Sequence, residues 1–306
     1  RGASGASDSP WFHMGIEECQ ALVFSRGFFF GNVGDAKAFL QENWRDYGGC
    51  DRGNSGVSGD SLPLCMDGLG MKTVERLLPG RRMGTTSYIF PVGETARESY
   101  ERNIELLAPH IRIIQLLLLG RDYLEIWQEE AWVSSLDRMR QEYGLDFVVH
   151  LPLDFHLWPE MNERHVSELE KLLGCLQSLQ PLGYVLHLEK SDGRKAEKYT
   201  PCLRDKEAFG RLMKKLASLG EYPLLFENTH YDLTFFAEEI ASSPFGVCFD
   251  VGHWWLLGKD ERIFVESFGK KIRLFHLHGV KGEKDHQSLA VMDETRLQGV
   301  FSLVGA

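Results

Sequence analysis

The stretch "GVCFDVGHWWLLGKD", residues 246–260, begins as a short apolar strand and then departs from that pattern. Asp250 interrupts the run, and a glycine, a histidine and two tryptophans follow. An aspartate at the end of a buried strand is costly unless a partner there needs it. The same break recurs along the chain. His150 falls in "VVHLP", His187 in "VLHLE", Glu227 in "LLFENT", and His276 and His278 in "LFHLHG". Asp285 and His286 follow in "KDHQSL".

Seven apolar runs carry this pattern: "MGTTSYIF", "IRIIQLLLL", "DFVVHLPL", "YVLHLE", "YPLLFENT", "GVCFDVG" and "IRLFHLHG". Helix candidates lie between them, near 94–108, 125–142, 160–179, 203–219, 232–241 and 259–269. Strand then helix, repeated, indicates parallel strands with helical crossovers. Runs that are apolar on both faces suit strands buried on both sides. No GxGxxG follows the first strand, which leaves a dinucleotide site without support. The expected fold is an α/β (β/α)8 TIM barrel over residues 83–306. Its seven strands are used up before the chain stops at "GVFSLVGA". The barrel is therefore expected to lack or truncate its eighth strand, and the chain to be cut short at its C-terminal end.

Residues 1–80 read differently. "YGGCDRGNSGVSGDSLPLCMDGLG" is rich in Gly and Ser and has no sustained periodicity. Such a segment buries too little apolar surface to offset its ordering entropy. Only "GDAKAFLQENWRDY" suits a short helix. The segment is expected to be a poorly structured, disordered or non-native extension, with residues 1–70 the product of a misassigned upstream reading.

Composition bounds the rest. The 306 residues are 43% apolar, 11% aromatic and 25% charged, a globular profile with material for a sizeable core. The formal net charge of -10 weighs against nucleic acid as a partner, because phosphate contacts rest on Lys and Arg. No apolar run approaches the roughly 20 residues that span a bilayer, and no secretory signal pattern is visible. Cys19, Cys50, Cys65, Cys175, Cys202 and Cys248 show no CxxC and no framework spacing. That usage points to a reduced, cytoplasmic setting.

The polar breaks fall at or just after the ends of the expected strands. In a parallel barrel that is the face on which chemistry is placed. A single histidine in a strand is ordinarily a hydrogen-bonded core residue. Polar residues on five consecutive strand ends are another matter, since burying each without a partner costs roughly 2–7 kcal/mol. A divalent metal cluster supplies the partners, and imidazole with carboxylate suits Zn, Mn or Fe. His276 and His278 face the same way because strand side chains alternate. Only one of the two need bind metal, the other supporting it or facing substrate. Gly252 is expected to take positive φ and turn His253 back over the barrel mouth beside Asp250. Glu227 has two oxygens with which to bridge two ions, oriented by Asn228 and Thr229.

The sequences "LLFENT", "VCFDVGHWWLLGKD" and "FHLHG…DHQSL" resemble the strand ends of the endonuclease IV-like, or xylose isomerase-like, TIM barrels. The resemblance covers about 83–290 and implies a di- or trinuclear metal site. It also implies that His150, His187, Glu227, Asp250, His253, His276 and His286 occupy ligand positions. Within that superfamily, "GTTSYIFPV", "VVHLPLDFHLW" and "YVLHLEK" look most like the cobamide-remodelling phosphodiesterases. Those enzymes cleave the phosphoribosyl linkage of the cobamide nucleotide loop. The DNA-cleaving members carry an aspartate two residues before the histidine matching His286. Here that position is Lys284, and the acid is Asp285. The family also carries a glutamate ligand on its eighth strand, and this chain ends before one appears.

The resemblance implies a metal-dependent hydrolase of a cobamide or another phosphorylated or sugar metabolite. Glu227 would bridge two ions, with His278 or Asp285 orienting the water or the leaving oxygen. Lys190, Arg194, Lys259, Lys281 and Lys284 fall in loops after strands, where cations can meet phosphate. Of Trp254 and Trp255, one is expected in the core and the other against a flat ligand group, with Phe155 and Trp158 as similar candidates. The competing readings are a sugar isomerase or epimerase on the same barrel, an inactive truncated barrel, and a DNA-repair enzyme.

Overall fold

The computed structural model describes residues 21–24, 82–87, 95–118, 120, 121, 124–159, 161–188, 200–287 and 289–305. Parallel strands close into a barrel. They are β1 (Ala21–Phe24), β2 (Met83–Thr86), β3 (Ile113–Leu117), β4 (Asp146–His150), β5 (Tyr184–His187), β6 (Leu224–Glu227), β7 (Gly246–Asp250) and β8 (Ile272–Leu277). The last seven are the seven runs expected from the sequence. The remaining place, expected to be empty at the C-terminal end, is taken by β1. It pairs in parallel with β2 on one side and β8 on the other. Backbone pairing needs no side-chain pattern, so a four-residue segment can satisfy both open edges. After β8 the chain instead forms the antiparallel hairpin β9 (Gly279–Lys281) and β10 (Lys284–Gln287), then a helix, Glu294–Gly305. Apart from β1, the expectation for residues 1–80 lies outside the described residues.

The helices form where their stripes and caps dictate. Glu163–Leu176 buries His165, Val166, Leu169, Leu172, Leu173 and Leu176, the spacing of one helical face. Asn162 caps it by accepting from the N–H groups of Arg164 and His165. Thr95 and Asp260 cap Ala96–Leu107 and Glu261–Phe268 in the same manner. Glu130–Tyr143 ends at Gly144, whose φ of 63° is the left-handed cap that glycine adopts freely. Phe249 on the outer face of β7 stacks on Phe264 of Glu261–Phe268 at 4.0 Å, tying the helical layer to the strand that carries Asp250.

Inside the barrel the strands build two levels. Ile113, Val148, Val185, Leu225, Cys248 and Leu274 form one buried cluster, contributed by six consecutive strands. Two residues further along the same strands come Gln115, His150, His187, Glu227, Asp250 and His276. Side chains two apart share a face, so an apolar floor lies beneath a buried polar ring. All six ring residues are buried. Register makes His187 the neighbour of Glu227, and Asp250 the neighbour of His276.

The floor is expected to be stiff. Leu225→Ala should destabilise the metal-free protein by about 2–5 kcal/mol in chemical denaturation, the range for deleting a buried leucine. A cost below about 1 kcal/mol would mean that the floor does not pack as a layer.

Candidate metal centre

Glu227 stands at the middle of the polar ring. Its Oε2 lies 2.9 Å from His187 Nε2 and 3.3 Å from His150 Nε2. Its Oε1 lies 2.8 Å from His276 Nδ1 and 3.9 Å from His253 Nδ1. The carboxylate is 2% exposed, and burial opposes its charge. The surrounding imidazoles, His276 and His187 first, outweigh that and hold it well below the usual carboxylate range.

Asp250 is completely buried beside it. Its Oδ1 accepts the His253 N–H at 2.7 Å and so caps a short helix, Val251–Leu256. The same oxygen lies 3.0 Å from His278 Nε2. Oδ2 carries no hydrogen bond among the described residues. The backbone of Asp250 is clamped twice by Asn228, whose Oδ1 accepts from the Asp250 N–H at 2.8 Å and whose Nδ2 donates to the Asp250 carbonyl at 2.7 Å. Asn228, expected to orient Glu227, thus fixes Asp250.

Gly252 is also corrected. It sits inside the short helix rather than in a positive-φ turn. His253 reaches the mouth because a capped helix starts at the strand end, not because the chain reverses at a glycine. What requires glycine is space: a Cβ there would lie 2.0 Å from His278 Cε1.

His286 closes the group from the β9–β10 hairpin, in positive φ at 51°. Its N–H points at His278 Nδ1 at 2.9 Å, and its ring stacks on His278 at 4.2 Å. Burial, then the neighbouring His278 and His253, push His286 down to about 2. Burial opposes a charge on His278 too, but Asp250 prevails and raises it to about 9. Asp285 is less enclosed, with a 31% exposed side chain and Oδ2 3.6 Å from His253 Nε2.

The seven expected ligand residues therefore converge. Overlapping triads have donor atoms within 4.8 Å of one another: His150, His187 and Glu227; Glu227, Asp250 and His253; His253, His278 and His286; and Glu227, Cys248 and His276. Two hydrogen-bonding details suit a cation. His150 Nδ1 lies 3.0 Å from the Leu151 carbonyl, and His253 Nδ1 lies 3.0 Å from that of Asn228. A neutral ring that donates there leaves Nε2 bare, and in both residues that Nε2 faces a carboxylate oxygen. With the unbonded Asp250 Oδ2, this is a donor set with acceptors turned toward one another, and a divalent ion fits it.

Gln115 and Cys248 were missed in the sequence. Gln115 was legible by the rule that found the others, a polar residue in an apolar strand. Cys248 reads as an ordinary small core residue. One of Trp254 and Trp255 was expected in the core; both, like Phe155 and Trp158, are at most 5% exposed and belong to the core cluster. Trp254 packs on Phe249 and Phe264 and donates Nε1–H to the Asp260 carbonyl. The Trp255 indole donates to Glu261 and lies against Arg296. Lys259 is bound to Asp232 over the Trp254 ring. Lys190 and Arg194 lie outside the described residues, and Lys281 and Lys284 are exposed on the hairpin.

The Asp250–His278 pair gives the metal-free protein a defined pH response. Asp250 is held at about 2 by His253 and His278 against burial, which opposes its charge. Its contribution is full above about 3.9 and is lost as pH falls through about 2. The His278 contribution is full below about 6.5 and is lost as pH rises through about 9. Thermal unfolding in chelator should show the pair complete between about pH 4 and 6.5, and Asp250→Asn should remove the alkaline decline. An unchanged alkaline limb in that variant would contradict the pairing. Gly252→Ala should displace the His278 ring and weaken metal binding measured by calorimetry, whereas equal affinity would show that the ring has room to move.

No curated protein matches the chain significantly. Solved structures resemble it in fold at low identity. A probable 3-DHS dehydratase from Bacillus anthracis is 13% identical with a TM-score of 0.51, covering 66% of this chain and 74% of that one. A D-tagatose 3-epimerase-like protein is 19% identical with a TM-score of 0.48, over 66% and 78% of the two chains. Endonuclease IV from Thermus thermophilus is 17% identical with a TM-score of 0.44, over 72% and 98%. Residues 111–302, well over half of the chain and including the polar ring from Gln115 to His276 and the hairpin's His286, match the family model of the xylose isomerase-like TIM barrel. The chain belongs to the xylose isomerase-like TIM barrel family.

Proposed function

We propose that this barrel is a metal-dependent hydrolase of a phosphodiester, acting on the nucleotide loop of a cobamide. The observation that carries the metal reading is the position of Glu227. Its two oxygens face different histidines, His150 and His187 on one side and His276 on the other. One carboxylate with two separate sets of imidazoles suits a bridging role between two ions. Histidines outnumber carboxylates in the group, which favours a multinuclear hydrolytic site over a single ion held between acids.

His150, His187, Glu227, Asp250, His253, His276 and His286 would hold the ions. When bound, divalent ions supply Lewis-acid polarisation of the phosphate and of an attacking water. The protein's own residues do the rest. Asn228 fixes the strand end, and Asp250 fixes the helix that presents His253. His278, beneath His286 and against Asp250, sets the direction of that carboxylate. Asp285, the partly exposed acid within reach of His253, would take or orient a proton on the substrate side. Trp254, Trp255, Phe155 and Trp158 are buried, and the choice of cobamide rests on the sequence likeness of residues 84–92, 148–158 and 184–190.

The test is a substrate comparison with added Zn, Mn or Fe. The full chain should split a cobamide at its phosphoribosyl linkage, read by mass spectrometry. Glu227→Gln should lose more than the roughly 100-fold that removing a ligand's supporting partner costs. Wild-type rate in that variant would remove Glu227 from the mechanism. Epimerisation of a ketose, or nicking of abasic DNA, with intact cobamide would replace the substrate assignment.

A further inference from the structure

We propose that Gln115 is the positioning residue that holds His276 with Nδ1 toward the centre and pairs its outer nitrogen in either tautomer; this rests on the metal reading above. Gln115 comes from β3, across the barrel from Glu227, and is 2% exposed. Its Oε1 lies 2.7 Å from His276 Nε2. The other nitrogen, Nδ1, lies 2.8 Å from Glu227 Oε1. A neutral imidazole has one N–H. Both its contacts are to oxygens, so one of them lacks a ring proton.

The other histidines resolve the same conflict differently. His150 and His253 place Nδ1 against backbone carbonyls, which cannot turn, so that Nε2 faces Glu227 in His150 and Asp285 in His253. His276 is inverted, with Nε2 outward and Nδ1 inward. Its outer partner is a side-chain amide, which offers an oxygen in one orientation and an N–H in the other. With the oxygen toward His276, Nε2–H is donated to Gln115, and Nδ1 would be free to hold an ion. With the amide turned, Gln115 donates to Nε2, and Nδ1–H is donated to Glu227. Gln115 thus lets one ring serve both the loaded and the metal-free centre without leaving a buried polar atom unpaired. A ligand histidine ordinarily has such an outer partner, and its loss costs about 10–100-fold in metal affinity.

The experiment uses the full chain, its Gln115→Leu and Gln115→Glu variants, and Zn²⁺ as the probe. Calorimetry should show Gln115→Leu binding Zn²⁺ about 10–100-fold more weakly, with Gln115→Glu, which keeps the acceptor, close to the parent. Gln115→Leu with parental affinity overturns the proposal. A second reading separates it from the metal assignment. Nitrogen-15 spectra of the metal-free protein, with His276 assigned by His276→Asn, should show a hydrogen-bonded Nε2 in the parent and an Nε2 shifted toward the unbonded position in Gln115→Leu. Unchanged His276 signals in that variant overturn the proposal whether or not Zn²⁺ binds. A parent that binds no Zn²⁺ but shows the Nε2 change between parent and variant retains Gln115 as the positioning residue and removes the metal centre.

Discussion

The structure depends on how one buried carboxylate is satisfied. Glu227 lies at the end of a strand, above an apolar floor, and has histidine nitrogens within 4 Å of both its oxygens. Removing a charge of this kind from water is expensive unless geometry and further hydrogen bonds return the cost. Around Glu227 the return comes from three strands and one helix start, each delivering an imidazole. The barrel is the device that makes this possible, because closure brings the ends of strands distant in sequence to one ring.

The second constraint is the change of character within two residues on each strand. Below the ring, Val185, Leu225 and Leu274 make an apolar layer. Above it, His187, Glu227 and His276 need partners. A single-residue slip of any strand would exchange its ring residue for one of the large apolar residues that face the helices, such as Phe226 or Phe275. The apolar floor thus fixes register, and register fixes the distances among the candidate ligands.

Most of this was legible in the sequence. Seven strand runs were visible because parallel strands buried on both faces are continuously apolar, and His150, His187, Glu227, Asp250 and His276 stood out as breaks. Other features depended on contacts that no local pattern encodes. Backbone pairing alone joins Ala21–Phe24 to the barrel. The helix at 251–256 was hidden because Gly252 suggested a turn, whereas the glycine answers to the His278 ring packed against it. The tryptophans next to His253 resembled a ligand wall, but helix periodicity turns them into the core. Gln115 carries no chemistry by itself, and its importance appears only when His276 meets it across 161 positions of sequence. Those two residues show the limit of the sequence rule: it found where polar groups gather, not which atom each presents.

Whether Glu227 joins two ions can be read from anomalous diffraction by crystals grown with Zn²⁺ and measured on both sides of the zinc edge. Two peaks should flank the Glu227 carboxylate, one beside His150 and His187 and one beside His276. A single peak, or none within coordination distance of Glu227, would contradict the bridging role.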